Sequence, residues 1–190
     1  VSMGREFELK LRADAEAIAA VEKAYGPFLE ITMETIYYDT PDRDLRRLHW
    51  TVRRRLENGI PVCTVKTPAA GGGRGEWEVP CEDILKAIPL LVKQGAPAEI
   101  WALAQKGLTP VCGARFTRLA ALVSRTECTV ELALDRGVLL GGNRELPFAE
   151  IEVELKQGGE AEAVSFAQSL AQEFWLHPEP KSKLQRAMEL

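Results

Sequence analysis

Arg5-Glu6-Phe7-Glu8-Leu9-Lys10-Leu11 alternates charged and apolar side chains. Glu6, Glu8 and Lys10 fall on one face, Phe7, Leu9 and Leu11 on the other, which is the two-residue period of a β-strand. A lone strand of this kind is most often an edge strand with its charged face in water. The pattern returns near the other end of the chain, in Glu150-Ile151-Glu152-Val153-Glu154-Leu155-Lys156, with three carboxylates in register. Two such strands side by side repel one another unless cations lie between them. Carboxylate oxygens held at strand spacing suit a hard divalent cation such as Mg²⁺ or Mn²⁺.

Between and around these two stretches the hydrophobic period switches repeatedly. Strands are predicted over residues 31–40, 49–57, 60–67, 74–80, 111–124 and 127–135, in addition to 5–11 and 148–156. Asn58-Gly59 marks a tight hairpin, and Arg136-Gly137 and Gly141-Gly142-Asn143 read as turns. Asp14 caps a helix over 15–25 that Gly26-Pro27 stops. Further helices are predicted over 82–94, interrupted at Pro89, over 98–106, over 160–175 and from Ser182 onward. Residues 42–47 read as a polar connection.

The 190 residues are enough for one domain with a real core, and no linker or internal boundary is visible, so 1–190 is read as a single unit. Met3 reads as the natural start and Val1-Ser2 as a cloning remnant. No apolar run approaches membrane-spanning length and no secretory signal is visible. Cys63, Cys81, Cys112 and Cys128 lack metal-binding spacing, and His49 and His177 stand alone. Free thiols in a reducing cytoplasm are therefore expected, and a zinc site is not. The formal net charge of −4 argues against general nucleic-acid affinity. Gly71-Gly72-Gly73-Arg74-Gly75 lacks the Gly-Lys-Ser/Thr of a phosphate-binding loop, and the four tryptophans read as packing residues.

Strand alternation sorts the charges. Arg53 and Arg55 share a face, as do Thr64 and Lys66; Arg74, Glu76 and Glu78; Glu131 and Asp135; and Glu150, Glu152 and Glu154. Arg54 breaks the alternation and is expected to reach solvent. For any one strand a solvated face suffices. For a fold made mostly of such strands, a charged interior is the more economical reading, because a closed barrel removes exposed edges and can hold polar groups inside. So many buried charges are costly unless they pair or meet a highly charged ligand. Arg and Lys rows suit phosphate oxygens, and carboxylate rows suit the metal ions that accompany polyphosphates.

Glu6-x-Glu8-x-Lys10 resembles the E-x-E-x-K signature of the CYTH domain superfamily, the triphosphate tunnel metalloenzymes. Tyr37-Tyr38-Asp39-Thr40, Val52-Arg53-Arg54-Arg55, Thr64-Val65-Lys66, Arg74-Gly75-Glu76, Arg118, Glu131 to Asp135, Glu150-Ile151-Glu152 and Ser182-Lys183 resemble later elements in the same order. Arg54 stands where the family's L-R-I-R element has an apolar residue. The resemblance covers nearly the whole chain and is most similar to bacterial inorganic triphosphatases, some of which carry a helical CHAD domain after the barrel. It implies an α+β fold built on a closed eight-stranded antiparallel β-barrel, a tunnel, with flanking helices.

Resemblance and charge sorting together imply the roles. Glu6, Glu8, Lys10 and Lys66 are expected to be catalytic. Lys10, Arg53, Arg55, Lys66, Arg74, Arg118 and Lys183 are expected to hold phosphate oxygens. Glu6, Glu8, Asp135, Glu150, Glu152 and Glu154 are expected to hold one or two Mg²⁺ or Mn²⁺ ions, with Glu76, Glu78 and Glu131 as further ligands or supports. The implied activity is metal-dependent hydrolysis of inorganic triphosphate to pyrophosphate and phosphate. The partner is a small-molecule triphosphate, with neither nucleic acid nor membrane, and a homodimer is left open. Two rivals stand beside it: a class IV adenylate cyclase or thiamine triphosphatase on the same barrel, and a non-catalytic polyphosphate- or nucleotide-binding module.

Overall fold

Phe7 divides the N-terminal alternating stretch between two neighbours. In the computed structural model, which describes residues 3–190, β1 (Met3–Glu6) pairs antiparallel with β6 (Arg74–Pro80), while β2 (Glu8–Arg12) pairs with β9 (Arg144–Gly158). The remaining strands are β3 (Leu29–Asp39), β4 (Thr51–Glu57), β5 (Ile60–Pro68), β7 (Thr109–Ser124), β8 (Cys128–Gly141) and the short β10 (His177–Pro178). Their order is β1-β6-β5-β4-β3-β7-β8-β9-β2-β10, in one antiparallel sheet. The α+β fold of an antiparallel curled sheet with flanking helices is as expected; closure into an eight-stranded barrel is corrected. Among the described residues the sheet has ten strands and an open order, curled so that its two flanks meet at consecutive segments of chain. The Phe7 carbonyl accepts from Leu155 N–H at 2.9 Å at that junction. The described residues begin at Met3, so the reading of Val1-Ser2 lies outside them.

The curl follows from where the apolar residues go. On its convex side, α1 (Ala15–Ala24) and α5 (Glu160–Phe174) cover β2, β8 and β9, burying Ile18, Val21, Phe166 and Leu170 against Leu132, Leu134, Ile151 and Val153. Asp14 caps α1 by accepting from Ala17 N–H at 2.7 Å. A second convex layer packs α2 (Asp44–Leu48), α3 (Ile84–Lys93) and α4 (Glu99–Gln105) on β4 and β5, around Leu45, Val52, Cys63, Val65, Ile88, Leu91 and Ile100. A third cluster lies at one end of the concave side, where α6 (Lys183–Met188) packs Ala187 against Met33, Ala114, Phe116 and Leu139. The concave face is thus charged in its middle but apolar at this floor, which the simple division into charged inside and apolar outside does not anticipate.

Four local expectations are corrected. Residues 42–47 are not all connection: α2 starts at Asp44, and the Asp39 carboxylate accepts from the N–H groups of Leu45 at 2.9 Å and Arg46 at 3.2 Å. Arg136-Gly137 does not turn. β8 runs through it to Gly141, because a Cβ at Gly137 would overlap the Arg115 carbonyl and Phe116 Cα of the adjacent strand, so the glycine serves close approach. Pro89 does not interrupt α3. Trp50 and Trp77 pack as expected, but Trp175 is 87% exposed. All four cysteines are free, Cys63 and Cys128 buried. Among the described residues no helix is long and apolar enough to cross a membrane.

Candidate active site

The strand period delivers alternate residues to one cavity of about 560 Å³ inside the curl. β3 contributes Met33 and Tyr37, β4 Arg53, Arg55 and Glu57, β5 Lys66, and β6 Arg74, Glu76 and Glu78. β7 contributes Arg118, β9 Glu152, Glu154 and Lys156, and the N-terminal strands Glu6, Glu8 and Lys10. α6 brings Lys183. Every residue expected to touch phosphate therefore lines this cavity, as do Glu6, Glu8, Glu152 and Glu154. Asp135 and Glu150 do not line it; both are wholly buried beneath Lys183. Arg54 lies on the other face, half-buried, and its Nη1 donates to the Glu82 carbonyl at 3.3 Å.

The acidic side chains form two groups, each with carboxylate oxygens within 4.8 Å of one another: Glu6, Glu8 and Glu154, and Asp135, Glu150 and Glu152. They are neutralised differently. In the first, each carboxylate meets one lysine: Lys66 donates to Glu6 at 2.8 and 3.0 Å, Lys156 donates to Glu154 at 2.8 Å, and Lys10 lies 3.7 Å from Glu8. Glu8 is held above the ordinary carboxylate range by burial and by Glu152 and Glu6, against Lys66 and Lys10. Burial pushes Glu154 up to about 7, with Glu6 and Glu8 adding to it against the Lys156 hydrogen bond. Three crowded hard-oxygen donors, Glu8 and Glu154 among them raised by their burial and mutual repulsion, fit a divalent cation, which relieves the crowding.

The second group is saturated by protein cations. Arg118 forks onto Asp135 at 2.7 and 2.8 Å and donates to Glu152 at 3.0 Å. Lys183 lies 2.7 Å from Asp135 and 2.6 Å from Glu152 and also pairs with Glu150, whose other oxygen takes Arg186. Burial opposes ionisation of Glu152, but Lys183, Arg118 and Lys10 hold it well below the usual range. Asp135 is also lowered: Arg118 and Lys183 overcome its burial. Three carboxylates meet three cations here, and the donor set does not call for a metal ion.

The opposite wall carries cations with few anions of their own. Arg55 Nε donates to Thr35 Oγ1 at 2.9 Å, and burial together with nearby Arg53 lowers its guanidinium to about 10. Arg53 Nε is buried and, among the described residues, has no hydrogen-bond partner. Arg74 reaches Thr51 Oγ1 at 3.3 Å. A buried guanidinium with an unused donor is the arrangement expected of a group that meets phosphate oxygen.

The CYTH domain profile matches residues 4–188. The chain belongs to the CYTH domain family. An inorganic triphosphatase of Haemophilus influenzae is 28% identical over 193 residues, covering 97% of this CYTH chain and 54% of that protein. The chain thus spans about half the length of this curated relative. A putative adenylyl cyclase from Hippeastrum, described as having a dominant triphosphatase activity, superposes with a TM-score of 0.70 at 18% identity, over 97% of this chain and 95% of its own. A putative adenylate cyclase from Bacillus halodurans gives 0.66 at 21% identity, over 97% and 98% of the two chains. These two likenesses show the shared fold.

Several residues of the CYTH site escaped the sequence reading. Lys156 neutralises Glu154, Tyr37 lies in the wall beside Arg53, and Arg186 takes half of Glu150. Lys156 carried a signal, since it shares the strand face of Glu154 two residues earlier, and so did Arg186, three residues from Lys183 on a predicted helix. On β3 and β7, Leu29, Ile31, Ala120 and Leu122 also face the cavity, an apolar ledge opposite the carboxylates that charge sorting could not show.

Proposed function

We propose that this CYTH domain hydrolyses inorganic triphosphate to pyrophosphate and phosphate with the help of Mg²⁺ or Mn²⁺. The observation that carries the reading is the division of one cavity into two walls: Arg53 and Arg55 of β4 on one side, and Glu6, Glu8 and Glu154 on the other, with Lys66 and Arg118 between them, paired to Glu6 and Glu152. Glu6, Glu8 and Glu154 would hold the cation, with Glu152 beside them, and the bound ion would supply charge neutralisation and an acidified water. Arg53 and Arg55 would bind phosphate oxygens along the cavity, and Lys66, Lys10 and Arg118 would orient the chain between the walls. Arg74 and Lys183 would meet its ends. The attacking water would lie beside the carboxylates that hold the ion. Phosphoryl transfer needs little covalent help from the protein, so alignment and charge stabilisation suffice. A reducing cytoplasm suits the four free thiols.

One observation favours a second reading. Beyond Glu6, Lys10 and Arg74 the tunnel continues into a chamber of about 650 Å³ that also exposes Phe7, Tyr38, Trp50, Leu184 and Met188. Such a wall suits an organic group carried on a triphosphate, as an adenylate cyclase or thiamine triphosphatase requires. The deciding experiment supplies tripolyphosphate, ATP and thiamine triphosphate in parallel, with Mg²⁺ or Mn²⁺, and scores phosphate and cyclic AMP. Fastest phosphate release from tripolyphosphate is expected. Cyclic AMP from ATP would transfer the assignment to the cyclase. Triphosphate binding with no turnover in either cation would leave a binding module.

A further inference from the structure

Helix α6 is seated by a chain of ion pairs on two buried carboxylates, Glu150 and Glu179, that phosphate chemistry does not require. Glu150 is fully buried, and its two carboxylate oxygens are taken by different cations of that helix, Lys183 and Arg186. The two are three residues apart and so share a helix face. Arg186 also lies 3.7 Å from Glu179, which is buried and accepts from Arg12 of β2 at 2.8 and 3.0 Å. Glu179 N–H donates to the Lys10 carbonyl at 2.9 Å. The helix is therefore tied at once to β9 and β2, paired strands that carry Glu8, Lys10, Glu152 and Glu154. Lys183 Nζ stands 5.0 Å from the Phe116 ring centre and 5.7 Å from that of Phe148, so its approach is fixed from the apolar side as well.

We propose that Glu150 is a positioning residue and not a cation ligand: through Lys183 and Arg186 it seats α6 so that the Lys183 ammonium stands at the tunnel floor. For Glu150 to ligate a metal ion it would have to bring a divalent cation against Lys183 and Arg186, which already take both of its oxygens at a fully buried position. A lysine also has a long flexible stem, and only an anchored one presents its ammonium at a fixed point. The inference rests on the tunnel reading above for its effect on turnover, but the seating itself can be measured without turnover.

The test uses Glu150→Gln and, because that variant can fail to fold, Arg186→Gln, which cuts the same seat from the helix side without touching the cavity. Three quantities are read: KM and kcat for tripolyphosphate, Mn²⁺ affinity by spin resonance without substrate, and backbone hydrogen exchange over residues 183–188. Both variants are expected to raise KM by about tenfold, in line with other supports of binding groups. kcat and Mn²⁺ affinity stay near the wild-type values, and exchange in α6 accelerates. A tenfold loss of Mn²⁺ affinity in Glu150→Gln would make it a ligand and overturn the proposal. Unchanged exchange in either folded variant would overturn it too. If the wild-type protein releases no phosphate, the activity reading fails alone, and exchange with Mn²⁺ affinity still decides the role of Glu150.

Discussion

Arg53 and Arg118 are both buried guanidinium groups on the same cavity, and they are held in opposite ways. Arg118 is committed to Asp135 and Glu152, whereas Arg53 keeps a donor without a partner. Arg53→Met is therefore expected to lower kcat/KM for tripolyphosphate on the order of 10²-fold, the scale of other preorganised electrostatic groups. Its melting temperature should hold or rise. Arg118→Met leaves a wholly buried Asp135 with Lys183 as its remaining cation and is expected to cost about 3 kcal/mol of stability, read by denaturant titration. A second expectation concerns Glu154. Burial pushes its folded carboxyl up to about 7, against 4.5 for a glutamate in water, and its side chain is 18% exposed. The folded state binds the extra proton between those values, so stability falls as pH rises through that window, by about 3 kcal/mol at 1.36 kcal/mol per unit. Glu8, also raised, acts in the same sense. Asp135 and Glu152, which are lowered, lose their contribution only in stronger acid. In EDTA the protein should melt higher at pH 5.5 than at pH 8, and Mn²⁺ should shrink that difference. A higher melting point at pH 8 in EDTA would contradict it. Which side chains face the cavity was legible, because a period of two is written directly in Glu6-x-Glu8-x-Lys10. Which carboxylate meets which cation was not, because pairing across Lys183–Glu150 depends on contacts that span 33 positions of chain.

At the level of elements, the strands were legible where one face is charged and the other apolar, and less so elsewhere. β8 was cut short because Arg136-Gly137 is a turn signal by composition, while its actual constraint, the nearness of Arg115 and Phe116, belongs to tertiary structure. α2 was missed because five residues carry no helical period and its start is fixed by Asp39 from outside the helix. In α3, Ile84, Ala87, Ile88 and Leu91 are buried at the spacing of one helical face, and that packing carries the helix past Pro89. The carbonyl four positions earlier belongs to Leu85, which is 54% exposed, so water can satisfy it. Pro89→Ala restores the missing hydrogen bond but gives the unfolded chain more freedom. A net gain of about 1 kcal/mol is expected from these opposing effects, measured by chemical denaturation with activity unchanged. A loss of stability would mean that the ring itself packs in the core beside Ile88.

On the scale of the whole molecule, the cavity is nearly neutral. Its lining holds eight carboxylates, Glu6, Glu8, Glu57, Glu76, Glu78, Glu131, Glu152 and Glu154, and eight cations, Lys10, Arg53, Arg55, Lys66, Arg74, Arg118, Lys156 and Lys183. The chain around it carries a net charge of −4. Such an interior has no general attraction for a bare polyanion, and Glu6, Glu8 and Glu154 would repel one. A complex of triphosphate with a divalent cation presents both signs at once and matches the two walls. Because Asp135, Glu150 and Glu152 are neutralised by Arg118, Lys183 and Arg186, one strong cation site is expected in the absence of substrate, at Glu6, Glu8 and Glu154. Coupling between two ligands is reciprocal, so Mn²⁺ and tripolyphosphate should each tighten the other by the same factor, about tenfold or more within the usual range of such couplings. Calorimetric titration of tripolyphosphate in EDTA and in Mg²⁺, with Mn²⁺ counted by spin resonance, measures this directly. Glu154→Gln should reduce both the Mn²⁺ affinity and the coupling. Two equally strong Mn²⁺ sites in the free protein, or triphosphate binding indifferent to the cation, would show that the charges of this cavity are not divided between the two ligands as its walls suggest.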